Sequence, residues 1–155
     1  MISGIILAAG ASFRMGSPKA LLKIKEKTFL RHMADVLYSA RVTDIVIVLG
    51  SGADEIRGTL GWFTGKVTVN SSWEDGQITS LRSGLDEIAS ADIHGVIVCP
   101  VDRPLISQSL IVALMQGFWT SGKEIVVPVF NGVRGHPVIF ARELFEELRA
   151  ASSEG

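Results

Sequence analysis

Short apolar runs rich in β-branched residues alternate with helix-like stretches along this chain, and that alternation limits its fold more than any other feature. The runs are Ile2 to Leu7, Asp44 to Leu49, Lys66 to Val69, Gly95 to Cys99 and Ile125 to Val129. Strands that read as continuous apolar stretches are covered on both faces, as in a parallel sheet between helical layers. Between them, "TFLRHMADVLYSA" gathers Phe29, Met33, Val36 and Leu37 on one face behind Thr28 as N-cap. "QITSLRSGLDEIA" repeats Ile78, Leu81, Leu85 and Ile88 at helical intervals, and a third helix is expected from Ser107 through Met115. Strand, helix, strand, repeated, predicts right-handed βαβ units, hence an α/β fold with a mostly parallel twisted sheet and helices on both faces, a three-layer αβα arrangement.

The last third breaks the rhythm. "VPVFNGVRGHPVIF" sets two short apolar segments around Asn131-Gly132 and Arg134-Gly135, which predicts a short antiparallel, hairpin-like excursion near the C-terminus. The final "ARELFEELRAASSEG" begins as a helix and runs out in small polar residues. No repeat or linker divides the chain, so residues 1–155 are expected to form a single domain.

Composition removes several function classes. Charged residues make up 20% of the chain, the formal net charge is -1, and Lys and Arg are scattered, so no nucleic-acid partner and no membrane surface are expected. The apolar stretch at the N-terminus is too short for a signal peptide or a membrane span, which makes a cytoplasmic location the expectation. The single cysteine, Cys99, lies in the apolar run "GVIVCP" and reads as a buried, inert thiol. One Cys and the dispersed His32, His94 and His136 cannot make a Cys/His metal site.

In an open parallel sheet, ligands bind beyond the carboxyl ends of the strands. The first loop there, within "GIILAAGASFRMGSPKALL", carries Gly10, Gly16, Arg14 and Lys19. Short side chains let backbone amides approach an anion, and two cations suit a polyphosphate; solvated loop charges are the competing reading. No Walker lysine and no complete Gly-x-Gly-x-x-Gly follow. In "CPVDRPLIS", Asp102 directly follows a buried strand, either as a hard oxygen ligand for Mg²⁺ on substrate phosphates or as a turn cap. In "NSSWEDGQITSLRSGL", Asn70 and the serines either read a base or ribose or form an Asx-turn with Trp73 as a packing lid.

Together, "LAAGASFRMGSPKALL", "NSSWEDGQITSLRSGL", "PVDRPLI" and "RGHPVIF", in that order, resemble the MobA/MocA-like nucleotidyltransferases, and within them the molybdenum cofactor cytidylyltransferase branch. The resemblance spans nearly the whole chain. It implies a Rossmann-like domain that transfers CMP from CTP to the phosphate of molybdopterin and releases pyrophosphate. Also implied are nucleotide contacts from Ala8, Ala9, Gly10, Ala11, Arg14, Lys19, Asn70 and Ser80, with Arg14, Lys19 and Asp102 as the catalytic set. By the same resemblance Asp102 would carry Mg²⁺, Arg134, Gly135 and His136 would face the acceptor, and a molybdoenzyme would receive the product.

Ala9 and Pro18 match the cytidylyl branch, where the guanylyl branch has glycine and aspartate; a methyl at residue 9 would narrow the base pocket. Members of the family generally continue past "SSEG" into a segment that supplies a second metal carboxylate, so Asp102 is expected to share its metal with water and phosphate alone. Competing expectations are guanylyl transfer to molybdopterin, cytidylyl or sugar-phosphate activation, and a non-catalytic carrier of the cofactor.

Overall fold

The structure, a computed structural model, describes residues 1–10, 13–14, 17–88, 92–103 and 105–151; of residues 13, 14 and 17 it describes the backbone alone. Among the described residues, six strands form the main sheet: β1 (Ile2–Ala8), β2 (Ile45–Leu49), β3 (Lys66–Val69), β4 (Gly95–Pro100), β5 (Ile125–Val126) and β6 (Val138–Ala141). Their spatial order is β3-β2-β1-β4-β6-β5. The β1–β2, β2–β3 and β1–β4 pairings are parallel, whereas β6 runs antiparallel to both β4 and β5.

Among the described residues, five helices cover the sheet: α1 (Phe29–Ser39), α2 (Ala53–Arg57), α3 (Gln77–Glu87), α4 (Gln108–Ser121) and α5 (Phe145–Ala150). The strands' two-residue alternation sorts the core into two layers. Ile6, Ala8, Ile45, Ile47 and Ile97 pack with Leu30 and Met33 of α1, Ile56 of α2 and Ile111 of α4. Ile5, Leu7, Val46, Val48, Val96 and Val98 pack with Leu81 and Leu85 of α3 and Phe145 of α5. Both faces of β1, β2 and β4 are therefore buried, which is why these strands lack polar alternation.

The expected caps are present: Thr28 Oγ1 accepts from the Arg31 N–H at 3.1 Å and Ser107 Oγ from the Leu110 N–H at 3.2 Å. Helix α4 runs six residues beyond the expected Met115, to Ser121. Cys99 is buried in β4, and the loss of solvent pushes its thiol up to about 12.

The run from Ile125 to Val129 is not one parallel strand. It splits into β5 and the first arm of a hairpin, Val129–Phe130 against Val133–Arg134. Asn131 and Gly132, with φ of 51° and 80°, make the turn, as that dipeptide favours. The second apolar segment returns as β6 and inserts between β4 and β5. Among the described residues, no helix is long and apolar enough to cross a membrane.

Candidate functional site

The chain leaves β1 through α1 to reach β2 on one side, while β4 pairs with β1 on the other. This reversal opens a crevice beyond the carboxyl ends of β1 and β4, where such sheets bind ligands. Its rim is tied by backbone hydrogen bonds. The Val101 N–H donates to the Leu7 carbonyl at 2.9 Å, and the Ser51 N–H donates to the Ala9 carbonyl at 2.8 Å.

A cavity of about 150 Å³ occupies the crevice, lined by Ala9, Gly10, Trp73, Ser80, Val101 and Asp102. Leu7 and Gln77 line both this cavity and a neighbouring one of about 310 Å³, which extends to His136, Val138 and Phe140. Four of the residues singled out in the sequence, Ala9, Gly10, Ser80 and Asp102, thus meet at one cavity. His136 belongs to the adjoining one.

Local chemistry explains each position. Asp102 sits in the turn after β4, closed by the Arg103 N–H donating to the Pro100 carbonyl at 3.1 Å; its side chain is exposed. Among the described residues no hydrogen bond or ion pair engages its carboxylate. No cluster of three or more His, Cys, Asp or Glu that could hold a metal occurs among the described residues either. The donor set is therefore one free, hard carboxylate, which fits a cation such as Mg²⁺ or Mn²⁺ that retains waters and takes phosphate oxygens. Gly10 is exposed, with open space where a Cβ would project, so backbone is available to a ligand there.

Asn70 follows β3 and is 6% exposed. Its Oδ1 accepts from the Ser72 N–H at 2.9 Å, and its Nδ2 donates to Thr79 Oγ1 at 2.8 Å and Ser80 Oγ at 2.9 Å. The Asx-turn reading is realised, and the amide also reaches the first turn of α3. Asn70 does not itself line the cavity; Ser80 does.

The remaining candidates lie apart from this cluster. Ala8 is buried in the core on the α1 face, and Lys19 is half-buried at the start of a short 3-10 turn, Lys19–Leu21. Arg134 is exposed on the hairpin, and Gly135 donates its N–H to the Pro128 carbonyl at 2.9 Å. The Nδ1 of His136 is buried without a hydrogen-bond partner among the described residues. Ala11 and the side chain of Arg14 lie outside the described residues. Trp73, Gln77 and Val101 were not singled out as site residues. The position of Gln77 at the start of α3, opposite the end of β1, was the available signal.

Wider hollows exist elsewhere. One of about 700 Å³ surrounds His94, Trp119 and Arg142, and one of about 860 Å³ lies between His32 and Leu105. The first sits at the amino ends of β1 and β4, away from the strand ends at which open α/β sheets bind ligands.

Fold and crevice together define a Rossmann-like α/β domain of the nucleotidyltransferase type. More specifically, the chain belongs to the MobA-like NTP transferase domain family, whose model matches residues 4–155. It is 34% identical over 140 residues to a probable molybdenum cofactor guanylyltransferase of Bacillus mycoides, covering 90% of this chain and 66% of the relative. It is also 31% identical over 115 residues to nicotine blue oxidoreductase of Paenarthrobacter nicotinovorans, covering 74% of this chain and 55% of that protein. The chain therefore spans somewhat less than two thirds of the length of these relatives. Among solved structures it resembles Rv0371c of Mycobacterium tuberculosis H37Rv, with a TM-score of 0.85 and 29% identity over 97% of this chain and 76% of that one. A structure of Rv0371c in complex with manganese aligns with a TM-score of 0.82 and 26% identity, at the same coverage of both chains.

Proposed function

We propose that this domain transfers a nucleoside monophosphate, CMP from CTP, to the terminal phosphate of molybdopterin. The observation that carries the reading is the meeting of Gly10 and Asp102 at one cavity on the β1/β4 switch point. In this reading the exposed backbone of Gly10 and the carboxylate of Asp102, which has no partner among the described residues, meet the same ligand.

In this reading an acceptor phosphate oxygen attacks the α-phosphorus, the new O–P bond forms as the α–β bridging bond breaks, and pyrophosphate leaves with the electron pair. No protein nucleophile is required, since alignment and charge stabilisation supply the catalysis. Backbone around Ala9, Gly10 and Ala11, with Arg14 and Lys19, holds the triphosphate. Ser80 faces the nucleoside, His136 faces the acceptor through the adjoining cavity, and Arg134 and Gly135, just before it in the chain, also face the acceptor. Asp102 would hold Mg²⁺, which when bound offsets charge on the phosphate oxygens and the departing pyrophosphate. The relative of known structure that takes manganese supports a divalent cation in this fold.

The choice of CTP rests on Ala9, which lines the smaller cavity, although the curated relatives named above include a guanylyltransferase. The relative named as an oxidoreductase dictates a control. Pyrophosphate release is measured with Mg²⁺, molybdopterin and CTP, GTP or ATP, beside consumption of NADH and NADPH. Release with CTP supports the proposal, release with GTP alone moves it to guanylyl transfer, and folded protein that releases none defeats it.

A further inference from the structure

We infer that Asn70 is a positioning residue that fixes Ser80 as a hydrogen-bond donor to the bound nucleotide, so that the cavity selects a nucleobase edge presenting an acceptor. The inference rests on the nucleotide-binding reading above and adds the polarity of its recognition.

The amide orientation of Asn70 follows from its neighbours. A backbone N–H can only donate, so the atom facing Ser72 N at 2.9 Å is the oxygen, Oδ1. Nδ2 must then face α3, where its two hydrogens go to Thr79 Oγ1 at 2.8 Å and Ser80 Oγ at 2.9 Å. Thr79 passes its own hydrogen back to the Gly76 carbonyl at 2.7 Å or the Ser72 carbonyl at 3.1 Å. Its role is complete within the protein.

Ser80 differs. Its oxygen receives a hydrogen from Asn70, and no acceptor for its own hydrogen occurs among the described residues. The residue is only 3% exposed and lines the cavity beside Gly10 and Asp102. A buried donor left without an acceptor is unfavourable, and a ligand that supplies one gains that difference. Cytosine presents O2 and N3 as adjacent acceptors, either of which can take the Ser80 hydrogen. Reversing the polarity at residue 70 therefore removes the donor without removing the serine.

The test measures CTP and GTP affinity by titration calorimetry, and steady-state KM and kcat, for Asn70→Asp, Ser80→Ala, the double variant and Thr79→Val. A carboxylate at residue 70 can only accept, so it would draw the Ser80 hydrogen away from the ligand. Asn70→Asp is expected to weaken binding of the preferred nucleotide about tenfold, as much as Ser80→Ala, with the double variant no worse. KM should rise while kcat at saturation stays constant. Thr79→Val loses the sibling hydrogen bond and should lower thermal stability while keeping affinity within about twofold. Should Asn70→Asp fail to fold, Asn70→Ala is read against Ser80→Ala, again expecting no additivity. Wild-type binding that neither residue 70 variant weakens, or an equal loss in Thr79→Val, overturns this inference alone. No nucleotide binding by folded wild-type protein overturns the functional reading with it.

Discussion

A β-carbon on Gly50 would lie 2.7 Å from Trp73 Cβ and 2.7 Å from the Ala9 carbonyl oxygen, so only glycine lets the end of β2 pass between these two residues. Neither contact is the free end of a flexible side chain. Gly50→Ala must therefore move either the backbone after β1 or the 3-10 turn Trp73–Asp75 that carries the indole. Overpacking of this kind costs about 1–3 kcal/mol. Urea unfolding should reveal that loss, and nucleotide affinity should fall with it because both displaced residues line the smaller cavity. A variant of wild-type stability would show that the strand end yields.

Asp102→Asn separates function from folding. The carboxylate is exposed and has no partner among the described residues, so stability should change by no more than about 0.5 kcal/mol. Pyrophosphate release should drop at least about a hundredfold, since a neutral amide is a poor ligand for the cation that offsets phosphate charge. The comparison is turnover against thermal midpoint in one preparation. Retained turnover would remove Asp102 from the metal role.

Ala9→Gly tests nucleotide choice. Deleting the methyl widens the cavity toward Gly50 and Trp73, and the preference for CTP over GTP in kcat/KM should shrink about tenfold. An unaltered ratio would place the discrimination elsewhere.

Cys99 gives a pH dependence whose sign is fixed. Burial raises its folded pKa from 9.0 to about 12, so the unfolded chain ionises first as pH rises. Above pH 9 the unfolded state binds fewer protons, and stability falls by roughly 1.4 kcal/mol per pH unit until the folded thiol titrates. Below pH 9 the group contributes no slope. Urea midpoints between pH 8 and 11, compared with those of Cys99→Ala, isolate the effect: the wild type should lose stability more steeply. Parallel curves would mean that the thiol reaches solvent.

Much of the fold was legible because burial on both faces leaves a plain signature. β1, β2 and β4 are unbroken apolar runs, and α1 and α4 carry their caps in the expected places. The strand β6 was harder to read, because a four-residue segment of mixed burial looks the same whether it closes a hairpin or joins the main sheet. What decided it was the pairing of Val138 with Val98, forty residues away, which no local pattern encodes. The two-residue strands near residues 13–28 are too short to leave any period at all.

The site divided along the same line. Gly10 and Asp102 are legible as candidates because each follows a strand that the sequence marks clearly, and the structure brings both to one cavity. The sequence leaves Asn70 open between a nucleoside contact and an Asx-turn; its amide bonds to Ser72, Thr79 and Ser80 depend on how α3 sits over the end of β3, which no local pattern encodes. Gln77 and Trp73 join the cavity through the same packing.

The two backbone hydrogen bonds at the crevice rim, Val101 to Leu7 and Ser51 to Ala9, have a thermodynamic corollary. They lash the end of β1 and Ala9 to the segments that follow β4 and β2, so the ordering entropy of that part of the rim is spent when the chain folds and is not demanded again at encounter. On the Ala9 side the crevice is a stiff mould, and a nucleoside entering it should meet little conformational delay.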